Sequence, residues 1–173
     1  MAAAGLLILR LVIGAIMIGH GAQKVFGWWG GPGLNGWTQA MTRMRIRPPQ
    51  AWAYISAGGE LGGGILLVLG LLTPLACAAI AASMLVAIYL VHFPRGFWVS
   101  KGGYEFNLSI LGAITALALV GPGGASLDAA LRINLSQPLV LIALAIAVIA
   151  GVASALVSRA PAPVEAKKPE TAG

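Results

Sequence analysis

The chain is short of charge. Only 9% of its 173 residues are Asp, Glu, Lys or Arg, against about 25% in a soluble domain that must solvate its surface. That shortage excludes a water-soluble fold. Cysteine is nearly missing: Cys77 stands alone inside an apolar run, so neither an intramolecular disulfide nor a Cys-x-x-Cys dithiol can form within this chain. Histidine is limited to His20 and His92. Neither has a His or carboxylate four residues away, so no metal site is expected. No ligand set for haem, flavin or an iron–sulfur cluster is visible, and no intrinsic cofactor is expected.

What replaces charge is apolar surface. Residues of the AVILMFWYC set make up 58% of the chain, and the mean hydropathy is +0.88. An outer surface of this kind must face lipid. The net charge of +6 comes from 11 Lys and Arg against 5 Asp and Glu. The basic residues cluster in loops beside apolar runs, the pattern of topology determinants rather than of nucleic-acid contacts. Met1-Ala2-Ala3-Ala4 lacks a basic leader and the first apolar stretch is long, so it is expected to remain as a spanning helix rather than a cleaved signal.

Five apolar segments can be marked: Gly5 to Phe26, Ala51 to Leu72, Leu75 to His92, Tyr104 to Val120 and Pro138 to Val157. At 1.5 Å per residue each can cross a hydrocarbon layer of about 30 Å, the fourth being short. Helices are the expected form, because unpaired backbone groups cannot be left in lipid. The predicted fold is therefore an all-α, polytopic transmembrane helical bundle. Breaker clusters separate the segments, among them Gly30-Gly31-Pro32-Gly33, Pro48-Pro49, Thr73-Pro74 and Gly121-Pro122-Gly123-Gly124.

Charge orients the bundle. Lys24, Arg43, Arg45, Arg47, Arg95, Lys101, Arg159, Lys167 and Lys168 fall on one side, and Arg132 on the other. The positive-inside rule predicts an external N-terminus and a cytoplasmic C-terminus. All five Trp (Trp28, Trp29, Trp37, Trp52, Trp98) lie on the basic side, at the headgroup layer that indoles favour. Leu34 to Ile46 reads either as a short amphipathic surface helix or as a loop cap. The Ala/Pro/Lys/Glu-rich tail from Arg159 is expected to be disordered.

The candidate site consists of ionisable residues placed where lipid penalises them: Arg10, His20, Lys24, Glu60, His92 and Glu105. A charge at mid-membrane costs about 2.5–3.5 kcal/mol on insertion scales, so each should face the interior and find a partner. Arg10, Gly14, Met17, Gly21 and Lys24 share one stripe of the first helix. Glu60 shares a face with Ala53, Ala57 and Gly64, and Glu105 with Ser109, Gly112 and Ala116. Depth predicts two ionic clusters, Arg10–Glu60 and Lys24–Glu105, with the histidines nearby. The run from Gly58 to Gly64 around Glu60 suits close helix packing, a crevice in front of the carboxylate, or both. Ser126 and Asp128 read as an N-cap and first-turn acid of a helical stub.

Several of these pieces recur together in a known family. Arg10-Leu11-Val12-Ile13-Gly14, His20-Gly21-Ala22-Gln23-Lys24-Val25-Phe26-Gly27, Glu60-Leu61-Gly62-Gly63-Gly64, Gly70-Leu71-Leu72-Thr73-Pro74, Tyr104-Glu105-Phe106-Asn107 and Gly121-Pro122-Gly123 with Ser126-Leu127-Asp128 resemble, in order, the signatures of the DoxX family. The resemblance spans roughly residues 6 to 131. It implies a four-helix membrane core (1–131), here extended by an additional transmembrane helix (132–158) and the tail (159–173). Family members are labelled oxidoreductase membrane components. Relatives include a subunit of a thiosulfate–quinone oxidoreductase and mycobacterial proteins associated with superoxide dismutase and a sulfurtransferase. The positions matching a family polar core are Arg10, Lys24, Glu60 and Glu105, and His92 less closely.

Three functions follow. The first is a redox-associated subunit binding a quinone or similar lipophilic carrier at the buried Arg/Glu/His cluster, with electrons supplied by partner redox enzymes. The second is a non-enzymatic scaffold or assembly factor whose basic face docks soluble proteins. The third is a small-solute or lipid transporter, disfavoured because the five spans show no inverted repeat.

Overall fold

A computed structural model of the protein describes residues 1–133 and 136–158. The tail expected to be disordered, with Arg159, Lys167 and Lys168, lies outside the described residues. The chain forms α1 (Ala2–Phe26), α2 (Gly33–Arg43), α3 (Pro49–Leu69), α4 (Thr73–Ala87), α5 (Glu105–Val120), α6 (Leu127–Ala130) and α7 (Gln137–Val157). It is a helical membrane protein. Helix α1, helix α3 and the stretch Thr73–Arg95 are each long and apolar enough to cross a bilayer, and α5 and α7 are further apolar helices.

Breakers set the helix ends. Gly27 closes α1 in the left-handed region at φ 74°, donating its N–H to the Gln23 carbonyl, and Gly70 closes α3 in the same way at φ 61°. Both positions favour glycine because a Cβ is strained there. Proline at the first turn starts α3, α4 and α7, where its missing N–H costs nothing.

Helices α1 and α3 form the tightest pair. A Cβ on Gly21 would stand 2.5 Å from the Leu61 backbone N, and one on Gly14 would stand 2.9 Å from the Gly64 carbonyl oxygen. Only glycine at these points lets the helices approach so closely. The contacts run antiparallel, and they fix the register of everything else on the two helices. The buried faces are Arg10, Ile13, Gly14, Met17, Gly21 and Ala22 on α1, and Ala53, Ala57, Glu60, Gly63, Gly64 and Leu67 on α3. The core continues through Ala76, Cys77, Ile80 and Met84 of α4 and Ile110, Ile114 and Leu117 of α5.

Helix α5 is rotated from the expected orientation. Ser109, Gly112 and Ala116 are exposed, and the inward face carries Asn107, Ile110, Ile114 and Leu117. The reason is volume: Ile and Leu bury more area than the small residues of the other face, and burial decides which side turns in.

The 34–46 segment takes the helical reading. Met41 and Ile46 bury with Ala53 in a second small core, flanked by Leu34, Trp37, Met44, Trp52 and Leu90. Beyond the fourth apolar segment, α7 packs on α4, with Leu144 and Val148 against the main core and Gly151 facing Ala82. The Arg47 N–H donates to the Ser158 carbonyl at 2.9 Å, so the end of α7 lies at the end of the bundle that holds Arg43 to Arg47.

Candidate functional site

The ionisable residues do not pair as depth alone suggests. Lys24 Nζ lies 2.5 Å from Glu60 Oε1, so both expected clusters, Arg10–Glu60 and Lys24–Glu105, are corrected. The cause is register. Arg10 and Lys24 stand about 21 Å apart along α1, so Glu60 can serve only one of them. The Gly21–Leu61 contact brings Glu60 level with the Lys24 end.

Arg10 goes instead to the opposite end of the bundle, where it is 1% exposed. Its Nη2 donates to the Ala125 carbonyl at 2.5 Å, while Nε and Nη1 have no hydrogen-bond partner in the protein. Asp128 supplies a charge of opposite sign nearby. Its Oδ1 accepts the Leu72 N–H at 2.7 Å, and its Oδ2 accepts both the Thr73 N–H at 2.9 Å and the Thr73 hydroxyl at 2.7 Å. Its own N–H donates to the Gly70 carbonyl. Ser126 caps α6 by accepting the Ala129 N–H and donates its hydroxyl to the Gly123 carbonyl. This corner ties the α3–α4 turn to the α5–α6 loop.

Glu60 is 3% exposed. Oε1 takes the Lys24 ammonium, and Oε2 is buried with no hydrogen-bond partner in the protein. Lys24 also sits 4.4 Å from the centroid of the Trp37 ring, a cation–π contact. Trp37 is held in turn by its indole N–H, which donates to the Ser56 hydroxyl at 2.8 Å. Trp37 is therefore part of the site as well as an aromatic residue of the basic end.

Two cavities meet at this ion pair. One, of about 220 Å³, is an apolar crevice between α3 and α4 with Gly151 of α7 at its edge. Ile55, Gly59, Ala79, Ala82 and Val86 form its walls, and Lys24, Trp37 and Glu60 its polar end. The second, of about 460 Å³, is a vestibule on the basic side whose lining includes His20, Lys24, Arg43, Glu60, His92 and Asn107. The glycine run at 58–64 thus serves both readings: Gly63 and Gly64 close onto neighbouring helices, and Gly59 leaves the crevice open.

His20, Lys24, Glu60 and His92 line one vestibule, whereas Arg10 and Glu105 line neither cavity. His20 is exposed rather than buried, with its ring 5.8 Å from Phe106. His92 ends a π-helical turn, Ile88–His92, a wide turn frequent at functional sites. Its Nδ1 stands 2.7 Å from the Gly102 carbonyl. Glu105 occupies the first turn of α5, where the helix dipole favours an acid. Its N–H donates to the Phe97 carbonyl, and its Oε2 is buried without a partner.

The sequence reading missed Trp37, Ser56, Arg43 and Asn107 as site residues. Asn107 had a signal: a buried amide on an apolar helix, here 6% exposed and donating to the Met84 sulfur at 3.4 Å. Trp37 and Ser56 had none, because their meeting depends on how the 27–32 turn folds α2 back on α3.

The comparisons with known proteins agree with this architecture. No solved structure matches the chain. An Escherichia coli (strain K12) protein named inner membrane protein YphA is 34% identical over 128 residues, covering 71% of this chain and 87% of the relative. A Bacillus subtilis (strain 168) protein named "Putative oxidoreductase CatD" is 32% identical over 124 residues, covering 72% and 84%. The DoxX family model matches residues 5–93, which hold Arg10, Lys24, Glu60 and the crevice walls on α3 and α4. The chain belongs to the DoxX family.

Proposed function

We propose that the protein is the membrane-embedded subunit of a redox system and holds the head group of a quinone-type carrier beside Lys24 and Glu60. The observation that carries this reading is a buried ion pair at the wall shared by an apolar crevice and a polar vestibule. A ligand with an isoprenoid tail and a polar ring needs such a junction: apolar walls for the tail, a few placed polar groups for the ring. The vestibule's volume lies in the range of about 300–1,000 Å³ usual for small-molecule sites. The Lys24 ammonium has hydrogens left for a ligand oxygen after Glu60 takes one. One relative's name describes an oxidoreductase, which supports the redox context. In this reading the electrons come from a partner enzyme.

In this reading all five long helices, α1, α3, α4, α5 and α7, cross the bilayer. The basic end, with Lys24, Arg43, Arg45 and Arg47, faces the cytoplasm, where a soluble partner would dock.

The test is to purify the protein in mild detergent and quantify quinones in its lipid extract. Wild type is expected to retain a quinone at a reproducible stoichiometry. A Gly59→Leu variant is expected to lose it, because its side chain would fill the crevice; on the neighbouring helices a Cβ at Gly59 meets the Ser83 hydroxyl, at 3.5 Å. Equal retention by both proteins would remove the crevice from the account.

A further inference from the structure

The loop between α4 and α5, at the basic end, is tightly bonded inside yet keeps its large side chains outside. The Gly103 N–H donates to the Trp98 carbonyl at 2.9 Å, the Tyr104 N–H to the Gly96 carbonyl and the Glu105 N–H to the Phe97 carbonyl. Gly103 is buried, and a Cβ there would strike the Gly96 and Phe97 backbone. The Tyr104 ring packs against Phe93 and Phe97. Phe93 is nevertheless 65% exposed and Trp98 61%, with Phe97 and Val99 exposed beside them.

Two cations share this surface. Arg95 reaches across the loop to Gly102, where an added Cβ would stand 3.1 Å from the guanidinium Nη1, next to Lys101 in the chain. Both are exposed. Among the described residues neither has a carboxylate within ion-pair distance, Glu105 included. We propose that this loop is a docking site for an anionic phospholipid. Arg95 and Lys101 donate to the headgroup phosphate, charge-assisted contacts of the stronger kind, and the exposed rings of Phe93, Phe97 and Trp98 lie among the lipids around it.

Depth and charge select this occupant. The apolar stretch Thr73–Arg95 ends at the loop and the apolar helix α5 begins at Glu105, so the loop is held where the spans leave the hydrocarbon. Aromatic rings favour that layer, and basic side chains there meet anionic headgroups. Phe26, Trp28 and Trp29 are exposed at the same end, but the 26–29 turn carries no cation. At the opposite end, residues 70–72 and 121–126 contain neither an aromatic residue nor a cation. The inference does not depend on the ligand reading above, although it touches the same vestibule. Val99, Gly102 and Gly103 line that cavity, and the Gly102 carbonyl lies 2.7 Å from His92 Nδ1. A lipid that holds the loop also holds this wall.

The experiment titrates the full chain in detergent with dioleoyl phosphatidylglycerol and, separately, with dioleoyl phosphatidylcholine, counting bound lipids by native mass spectrometry. Wild type is expected to bind the first phosphatidylglycerol at least fivefold more tightly than the first phosphatidylcholine. A basic side chain at an anionic headgroup layer contributes about fivefold in affinity. An Arg95→Gln/Lys101→Gln variant is therefore expected to bind phosphatidylglycerol at least fivefold more weakly. An Arg45→Gln/Arg47→Gln variant removes the same charge from exposed positions at the same end and is expected to lose less than twofold. Melting temperatures report that each variant is folded; should the loop variant not fold, the wild-type pair of titrations decides alone. No preference for phosphatidylglycerol in wild type would overturn the inference. Equal losses in the two variants would overturn it too, since the net charge of the end would then be acting rather than the loop. Displacement of the lipid by millimolar inorganic phosphate would make this a free-anion site and overturn the lipid assignment. Unchanged lipid affinity in the loop variant, together with loss of a soluble protein from native membranes, would give the surface to that protein instead.

Discussion

The two ends of the bundle bury charge in opposite ways. At the Arg10 end, Asp128 spends its carboxylate on three donors from the α3–α4 turn, and a Cβ added at Gly70 would run into the Arg10 guanidinium. Arg10 lines neither cavity. At the Lys24 end, the acid keeps one oxygen unpaired and faces two cavities. Both are buried acids near a base, and insertion costs alone would rank them equally. What separates them is valence and space: a saturated acid in a packed corner holds the fold, whereas an unsaturated acid beside a cavity can hold a ligand.

The comparison can be broken by mutation. The largest effect is expected from Asp128→Ala, which strands the Leu72 and Thr73 donors and leaves Arg10 without its counter-charge. Each buried donor left unsatisfied costs about 1–3 kcal/mol, and three are stranded together here, which a thermal melt in detergent would read as a large drop in melting temperature. Gly21→Ala is expected to come next. Its methyl would press on the Leu61 backbone, and overpacking of this kind costs about 1–3 kcal/mol. Because it shifts the register of α1 on α3, it should weaken ligand retention as well as stability. The smallest effect is expected from Ser56→Ala, which removes the acceptor for the Trp37 indole at a cost of about 0.5–1.5 kcal/mol. A shift in tryptophan emission should accompany it. If Asp128→Ala left the melt unchanged while Ser56→Ala collapsed it, the assignment of structural and ligand-binding ends would be reversed.

Much of the fold is legible in the sequence because charge and glycine share faces on α1 and α3. The stripe of Arg10, Gly14, Met17, Gly21 and Lys24 and the face of Ala53, Ala57, Glu60 and Gly64 are interior as the helical period predicts. Helix α5 is not legible in the same way. It is apolar nearly all round, so periodicity offers little contrast, and choosing the small-residue face over Ile110, Ile114 and Leu117 turned it outward. The pairing of Lys24 with Glu60 depends on a glycine contact between two helices, which no single-helix pattern contains. The joint between Asp128 and the α3–α4 turn depends on a loop crossing 55 residues of sequence. Local chemistry was readable, and partnership across elements was not.

The most direct measurement is ligand affinity in a Lys24→Met/Glu60→Met double variant beside wild type, with melting temperatures recorded for both. Replacing a buried ion pair by apolar side chains of similar volume is often neutral or stabilising, so the double variant is expected to melt at or above the wild-type temperature. Its affinity for a short-chain prenyl quinone is expected to fall at least tenfold. Undiminished affinity in a double variant that melts normally would contradict the account, since the ion pair would then be holding helices together and nothing else.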